Sequence, residues 1–380
     1  MCMKRKLLYL SNAIAIHGGL ERILVDKVNW LADNTDFVIY LVTFDQGSHP
    51  DAYPLSPNVM HTDLDINFHQ QYNFSGVRRI LFNHQLHSLF RKRLKAAVLD
   101  ILPDVIICMQ QQFVKDVNTI RGDIPLIFEC HSAYQAGRFE NFSFLQKIQL
   151  KCHDRDIKKA QKVIALTRGD AMEWQKVNAN VEVIPNMVHL NETGRYSDCS
   201  QKSVIFVGRY AVQKDIGSLL KIWQIVNKRH PDWQLHLYGG YGGQSKEEFQ
   251  SVNLQDINAF SHDATPNIFD KYLESSMLLL TSIHEPFGLV LVEAMSCGLP
   301  VVSFNCPYGP ADIITEGVDG FLIDGRNVDA FANRVCQLIE NVELRQKMGK
   351  AAILSSERYR DNIIMPIWVN LFKDLMYGKD

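Results

Sequence analysis

Two carboxylates eight residues apart, Glu285 and Glu293, stand in the run Thr281 to Pro300, T-S-I-H-E-P-F-G-L-V-L-V-E-A-M-S-C-G-L-P. An ionised carboxylate is an acceptor only, and it binds vicinal hydroxyls well. Upstream, Met277 to Leu280 is a short apolar run of the kind that forms a buried parallel strand. Pro286 and Gly288 break any regular pattern, and the residues that follow predict a helix from about Leu289 to Gly298. Glu285 then falls in the loop at the carboxyl end of a strand, where ligands collect in open parallel sheets, and Glu293 about one turn into the helix. Main-chain N–H groups of Phe287, Gly288 and Leu289 would point out of the helix N-terminus, a ready phosphate site. Gly288 has no side chain to keep a ligand from the backbone. Two glutamates at arbitrary spacing are ordinarily solvated, but Glu293 lies between Val292 and Ala294-Met295 on a strongly apolar helix. Phosphate with hydroxyls at both ends describes a nucleotide sugar.

The elements that must position these groups follow an α/β pattern. Short apolar runs alternate with helical stretches, which implies a parallel sheet with helices on both faces. Candidate strands in the first half are Leu7–Leu10, Phe37–Phe44, Val105–Met109, Leu126–Cys130, Val163–Leu166 and Val181–Ile184. A polar stretch from Val188 to Lys202 suits a linker, and Ser203 to Val207 opens a second set with Gln234–Tyr238 and Val301–Phe304. A chain of 380 residues suits two domains. A net charge of −2 is not the footprint of a nucleic-acid binder. No apolar run reaches the ~20 residues that span a bilayer, and the N-terminus lacks a signal-peptide pattern, so a cytoplasmic location is expected. Eight scattered cysteines form no C-x-x-C, and buried free thiols without a zinc site are expected.

Other residues could join the chemistry. Arg209 and Lys214 leave the Ser203–Val207 strand and could neutralise a departing diphosphate, one with forked bonds and one as a point charge. Gly18-Gly19 opens a helix after the first strand; on the residues alone it is a plain turn, and it is no G-x-G-x-x-G dinucleotide fingerprint. His131 ends the Leu126–Cys130 strand, a position more often structural than functional. Residues 77–98 carry Arg78, Arg79, Arg91, Lys92, Arg93 and Lys95, with Phe82, Leu86, Leu89, Phe90, Leu94 and Val98 at helical spacing. This stretch is either a solvated helix face or a surface that meets anionic lipid or the diphosphate of a lipid-linked acceptor, and Lys147 to Lys162 adds a second basic region.

The run E-P-F-G-L-V-L-V-E-A-M-S-C-G-L-P-V-V closely resembles the E-x7-E signature of retaining glycosyltransferases of family 4, with the GT-B fold. V-G-R-x-x-x-x-K from Val207 to Lys214 is similar to that family's diphosphate-binding pair, and G-G-x-E from Gly18 to its donor and acceptor loop. The resemblance implies two Rossmann-like domains facing each other across a cleft. Residues 1–186 would bind the acceptor and 187–362 the donor, and a helix in 363–380 would cross back. It implies catalytic roles for His131, Glu285, Arg209 and Lys214. Donor binding would fall to Gly18, Gly19, Arg209, Lys214, Glu285, Phe287, Gly288, Leu289 and Glu293, with Glu285 on the sugar hydroxyls and Glu293 on the ribose. No cofactor or metal is expected, since Asp154-Arg155-Asp156 lies in a basic helical stretch.

Cys306-Pro307-Tyr308-Gly309-Pro310 resembles members that add hexoses or N-acetylhexosamines in surface-polysaccharide, lipopolysaccharide or lipid-linked oligosaccharide assembly. The expected partners are a UDP-linked sugar, a saccharide or lipid-linked saccharide acceptor, and an anionic membrane met peripherally through 77–98. The loop Gly239 to Gly243 and the segment Asn253 to Pro266, which lacks a strand-then-glycine pattern, depart from the family, so no base-contacting residue is assigned. Two other readings share the architecture, a nucleotide-sugar 2-epimerase and a non-catalytic nucleotide-sugar-binding subunit.

Overall fold

The computed structural model describes residues 4–135, 144–240 and 252–378. The chain divides into two units. The first comprises Met1–Leu166, Ala171–Met187 and Ile364–Asp380; the second comprises Thr167–Asp170 and Val188–Ile363.

In the first unit seven strands form one sheet: β1 (Lys6–Leu10), β2 (Val38–Thr43), β3 (Val59–Asp63), β4 (Val105–Cys108), β5 (Leu126–Glu129), β6 (Lys162–Ala165) and β7 (Val181–Val183). They lie in the order β3-β2-β1-β4-β5-β6-β7, and every pairing is parallel, with Leu7 opposite Ile39 on one side and Val105 on the other. Parallel strands are covered on both faces, which is why β1 and β4 read as unbroken apolar runs. Alternate residues enter different core layers. Leu8, Leu10, Ile106 and Cys108 pack with Leu86, Phe90, Leu94 and Val98 of the helix Gly76–Ile101. Leu7, Tyr9, Val105 and Ile107 pack with Leu24, Val28 and Leu31 of the helix Gly19–Asn34. Ile364, Trp368, Leu371 and Phe372 of the last helix, Asp361–Tyr377, complete that second layer.

The apolar spacing along 77–98 thus marks the core face of the Gly76–Ile101 helix. Two of its cations are also engaged inside the unit, Arg91 with Asp116 and Arg93 with the carbonyls of Leu64 and Asp65. Exposed large apolar residues gather at and before the helix start, Tyr72, Phe74, Val77, Ile80 and Leu81, beside Arg78 and Arg79, while Lys92, Lys95 and Leu99 are exposed further along. No described helix is long and apolar enough to cross a membrane.

The second unit holds β8 (Ser203–Val207), β9 (Gln234–Tyr238), β10 (Ala259–His262), β11 (Met277–Leu280), β12 (Val301–Phe304) and β13 (Gly320–Ile323), ordered β10-β9-β8-β11-β12-β13 and all parallel. Trp223, Leu219 and Ile222 of the helix Ile216–Arg229 and Phe331 and Val335 of the helix Val328–Glu340 cover one face. Side-chain caps start these helices: Asp215 accepts from Ser218 N, and Asn327 from Ala330 N. The segment Asn253 to Pro266 does contain a strand, β10, which ends on His262 where a glycine was looked for. Tyr241, Gly242 and Gly243 of the glycine loop lie outside the described residues.

Of the described cysteines, Cys108, Cys130, Cys199, Cys297, Cys306 and Cys336 are buried free thiols and Cys152 is exposed. Burial pushes Cys108, Cys297 and Cys306 up to about 12 and Cys199 to about 11, so these stay protonated and inert. Cys152 is therefore expected to react fast with Ellman's reagent in the native protein and the six buried thiols only on unfolding. A Cys152→Ser protein that keeps every fast-reacting thiol would contradict this burial pattern.

Candidate active site

In a parallel sheet the crevice opens where strand order reverses, at the carboxyl ends. In the second unit that point lies between β8 and β11. The loop after β8 brings Arg209 and Lys214; the loop after β11 brings Glu285 and then the helix Leu289–Ser296. Lys214 Nζ lies 2.5 Å from Glu285 Oε2, and Ser282 Oγ donates to the same oxygen at 3.0 Å. The two loops are also laced together through the backbone: Ile283 N donates to Gln213 O at 2.7 Å and Thr281 Oγ1 to Lys214 O at 2.9 Å. Gln213 Nε2 donates to His284 O at 2.9 Å.

Glu285 is buried, yet its backbone serves a third loop. Its N–H bonds Pro307 O, and its carbonyl accepts from Tyr308 N and Gly309 N. Gly309 is required there, because a Cβ would lie 1.7 Å from Phe287 O. Gly288 adopts φ +109°, the left-handed region glycine favours, and caps the helix that follows. Among the described residues the N–H groups of Phe287, Gly288 and Leu289 have no protein acceptor, so they can receive an anion. The Phe287 side chain itself is buried edge-on against Tyr359, leaving only its backbone for a ligand.

Arg209 is exposed and has no partner among the described residues, whereas Lys214 is neutralised by Glu285. Three contributors were not legible as site residues. Arg326, just past β13, pairs with Asp215 and donates to Thr281 O at 2.9 Å and Ser282 O at 2.8 Å, with its guanidinium 4.5 Å from the Phe304 ring. Tyr272, fully buried, donates its hydroxyl to Glu293 Oε2 at 3.0 Å. Burial, then Glu293, pushes that phenol well above its ordinary range, so it remains a donor. Ser282 was in view but carried no signal beyond sitting three residues before Glu285.

Gly18, Gly19 and His131 belong to the first unit. Gly18 caps the helix Gly19–Asn34 in extended conformation, and the Glu21 carboxylate folds back against it. That places a negative charge at the helix start, where it complements the dipole. His131 follows β5 and is nearly buried; its Nε2 lies 2.9 Å from Glu129 Oε1. Among the described residues no group of three or more His, Cys, Asp or Glu is gathered to hold a metal.

Two doubly wound parallel sheets, the second with the Lys214–Glu285 pair at its switch point, define the class of fold, and comparison narrows it. The family model described as "Glycosyl transferases group 1" matches residues 197–354, and that described as "Glycosyltransferase Family 4" matches 17–192. The chain belongs to glycosyltransferase family 4 and has the GT-B fold, with two Rossmann-like domains. It is 30% identical over 240 residues to "Amylovoran biosynthesis glycosyltransferase AmsD" of Erwinia amylovora, covering 60% of this chain and 66% of that one. It is 31% identical over 198 residues to "Poly(ribitol-phosphate) alpha-N-acetylglucosaminyltransferase" of Staphylococcus aureus, covering 51% and 39%. The chain thus spans less than two thirds of each of these relatives. Among solved structures, a TarM variant of S. aureus in complex with fondaparinux, alpha-GlcNAc-glycerol and UDP aligns with a TM-score of 0.77 at 17% identity, over 97% of this chain and 99% of that one.

The Arg326 clamp carries a structural expectation. Arg326→Met takes the donor from two carbonyls and the cation from Asp215, which keeps only Ser218, and should cost about 1–2 kcal/mol, read as a lower urea midpoint at unchanged slope. An unmoved midpoint would show that the clamp does not hold the loops.

Proposed function

We propose that the chain transfers a hexose or N-acetylhexosamine from a UDP-linked donor to a hydroxyl of a saccharide, including one carried on a lipid diphosphate, with retention of anomeric configuration. The observation that carries this reading is the Lys214–Glu285 pair at the β8/β11 switch point, beside the unpartnered N–H groups of Phe287, Gly288 and Leu289. The glycosyltransferase names of both relatives and the UDP in the TarM structure support it.

In the reaction the bond from the anomeric carbon to the phosphate oxygen breaks, and its electron pair stays on that oxygen. The acceptor oxygen bonds the anomeric carbon from the same face and gives its proton to the departing phosphate. Arg209, Lys214 and the helix N-terminus offset the charge that develops on the diphosphate, the largest demand of such a step. Those groups serve where a metal otherwise would, so no metal or other cofactor is called for. Glu285 accepts donor-sugar hydroxyls once the diphosphate draws Lys214 away. Glu293, held by Tyr272, accepts the ribose hydroxyls. His131 positions the sugar.

Membrane contact fits one surface. Val77, Ile80 and Leu81 are 70%, 69% and 60% exposed at helical spacing, flanked by Arg78 and Arg79, and no acidic residue follows until Asp100. The protein should therefore co-sediment with vesicles containing phosphatidylglycerol, and V77D/I80D/L81D should not. Equal binding to phosphatidylcholine vesicles would sink this contact.

A panel of nucleotide sugars, followed by calorimetry and by product analysis with and without saccharide acceptors, tests the activity. One UDP-sugar should bind, Glu293→Ala should weaken it roughly tenfold to a hundredfold, and Lys214→Met should lower kcat by about 10²–10³. Binding of no nucleotide sugar at millimolar concentration would defeat the transferase reading. An epimerised sugar formed without acceptor would replace it.

A further inference from the structure

Lys27 and Glu129 pair inside the first unit with side chains 3% and 0% exposed. Exchanging such a buried pair for apolar residues is often neutral or even stabilising, so stability alone is a weak reason for its presence. Its surroundings are specific. Glu129 Oε1 receives both Lys27 Nζ and, at 2.9 Å, His131 Nε2. The Trp368 ring lies over Lys27 Nζ at 3.9 Å, a cation–π contact that keeps the ammonium charged without water. Tyr9 on β1 is the remaining titratable group facing the carboxylate, and its buried hydroxyl has no hydrogen-bond partner among the described residues. Burial by itself raises the Glu129 carboxyl, but Lys27 and then His131 outweigh it and hold it at about 2. Burial lowers the Lys27 ammonium, and Glu129 opposes that shift.

Lys27 offsets the charge of Glu129, which weakens the carboxylate's pull on a second cation. It still offers an acceptor to Nε2–H. The hydrogen bond at one ring nitrogen decides which nitrogen carries the proton. Nδ1 has no partner among the described residues.

We propose that the buried Lys27–Glu129 pair fixes His131 as a neutral imidazole with its proton on Nε2, leaving Nδ1 as an acceptor for a saccharide hydroxyl. Lys27 and Glu129 are positioning residues, acting through His131. The inference deepens the transferase reading and rests on it for the identity of the hydroxyl, though not for the state of the ring. A neutral Nδ1 orients a hydroxyl by accepting its hydrogen; an imidazolium, donor at both nitrogens, would instead donate to the hydroxyl oxygen and turn its hydrogen elsewhere.

The test is long-range proton–nitrogen correlation on the full chain labelled with nitrogen-15 histidine, the His131 signals being those missing from His131→Gln. Wild type should show the Nε2–H tautomer at pH 7. Glu129→Gln can present either oxygen or amide nitrogen, so the preference should dissolve into a mixture. Lys27→Met leaves the carboxylate unbalanced and should place protons on both nitrogens at pH 7. Should a single variant fail to fold, Lys27→Met/Glu129→Gln, with no buried charge, gives the Glu129→Gln result. In turnover, Glu129→Gln should lower kcat roughly tenfold to a hundredfold with the donor KM within about twofold, a split that loss of folding would not produce. An unaltered tautomer in the Glu129 variants overturns the proposal whatever turnover does. Absence of all turnover in wild type overturns the transferase reading and leaves the tautomer result standing.

Discussion

A sheet whose strands all run the same way delivers every outgoing loop to one edge, and the rest of the second unit depends on how that edge is tied together. Glu285 makes the tie. Its side chain reaches the β8 loop through Lys214, its own loop through Ser282, and its backbone holds the β12 loop at Pro307, Tyr308 and Gly309. Three loops that share no sequence neighbourhood are thereby fixed relative to one helix N-terminus. A carboxylate in this position is a structural joint, and any ligand it took would compete with Lys214 and Ser282 for the same oxygen.

Charge is distributed unevenly between the units. In the second, Arg326 with Asp215 and Lys214 with Glu285 cancel, and both pairs lie close enough to solvent for a ligand to exchange with them. Arg209 is left over as an exposed positive charge on the loop after β8. In the first unit the comparable pair is sealed from water, and the low dielectric makes each hydrogen bond to Glu129 stronger and each missing one more costly. One arrangement suits exchange with a passing anion, the other the holding of a fixed proton.

The parts of this architecture that could be read from the chain are those where neighbours in sequence are also neighbours in space. Met277 to Gly298 carries its strand, break and helix within 22 residues, and Arg209 and Lys214 follow directly from the apolar β8. Tyr272 and Arg326 reach the site from other elements and are ordinary residue types in ordinary surroundings, so no local signal marks them. Edge strands β3 and β10 escaped because one side of each faces solvent and dilutes the apolar run; Met60 of β3 is half exposed. The stripe Phe82, Leu86, Phe90, Leu94 was legible as a helix face but not as the face turned inward, since periodicity is the same in either case. Lys27 did leave a trace: it interrupts the core stripe of Leu24, Val25, Val28 and Leu31, a place where an unpaired lysine would not be tolerated.

The last helix has a bearing on how the protein is made. Trp368 and Phe372 belong to the core layer built on β1 and β4, and Trp368 roofs the Lys27–Glu129 pair. Domains commonly fold in order as they leave the ribosome. Here the 176 residues from Val188 to Ile363 separate the rest of the first unit from the piece that closes it. Until that helix has been made, its apolar face stays open and its ion pair wet. The nascent chain must carry an unfinished first domain through the making of the second.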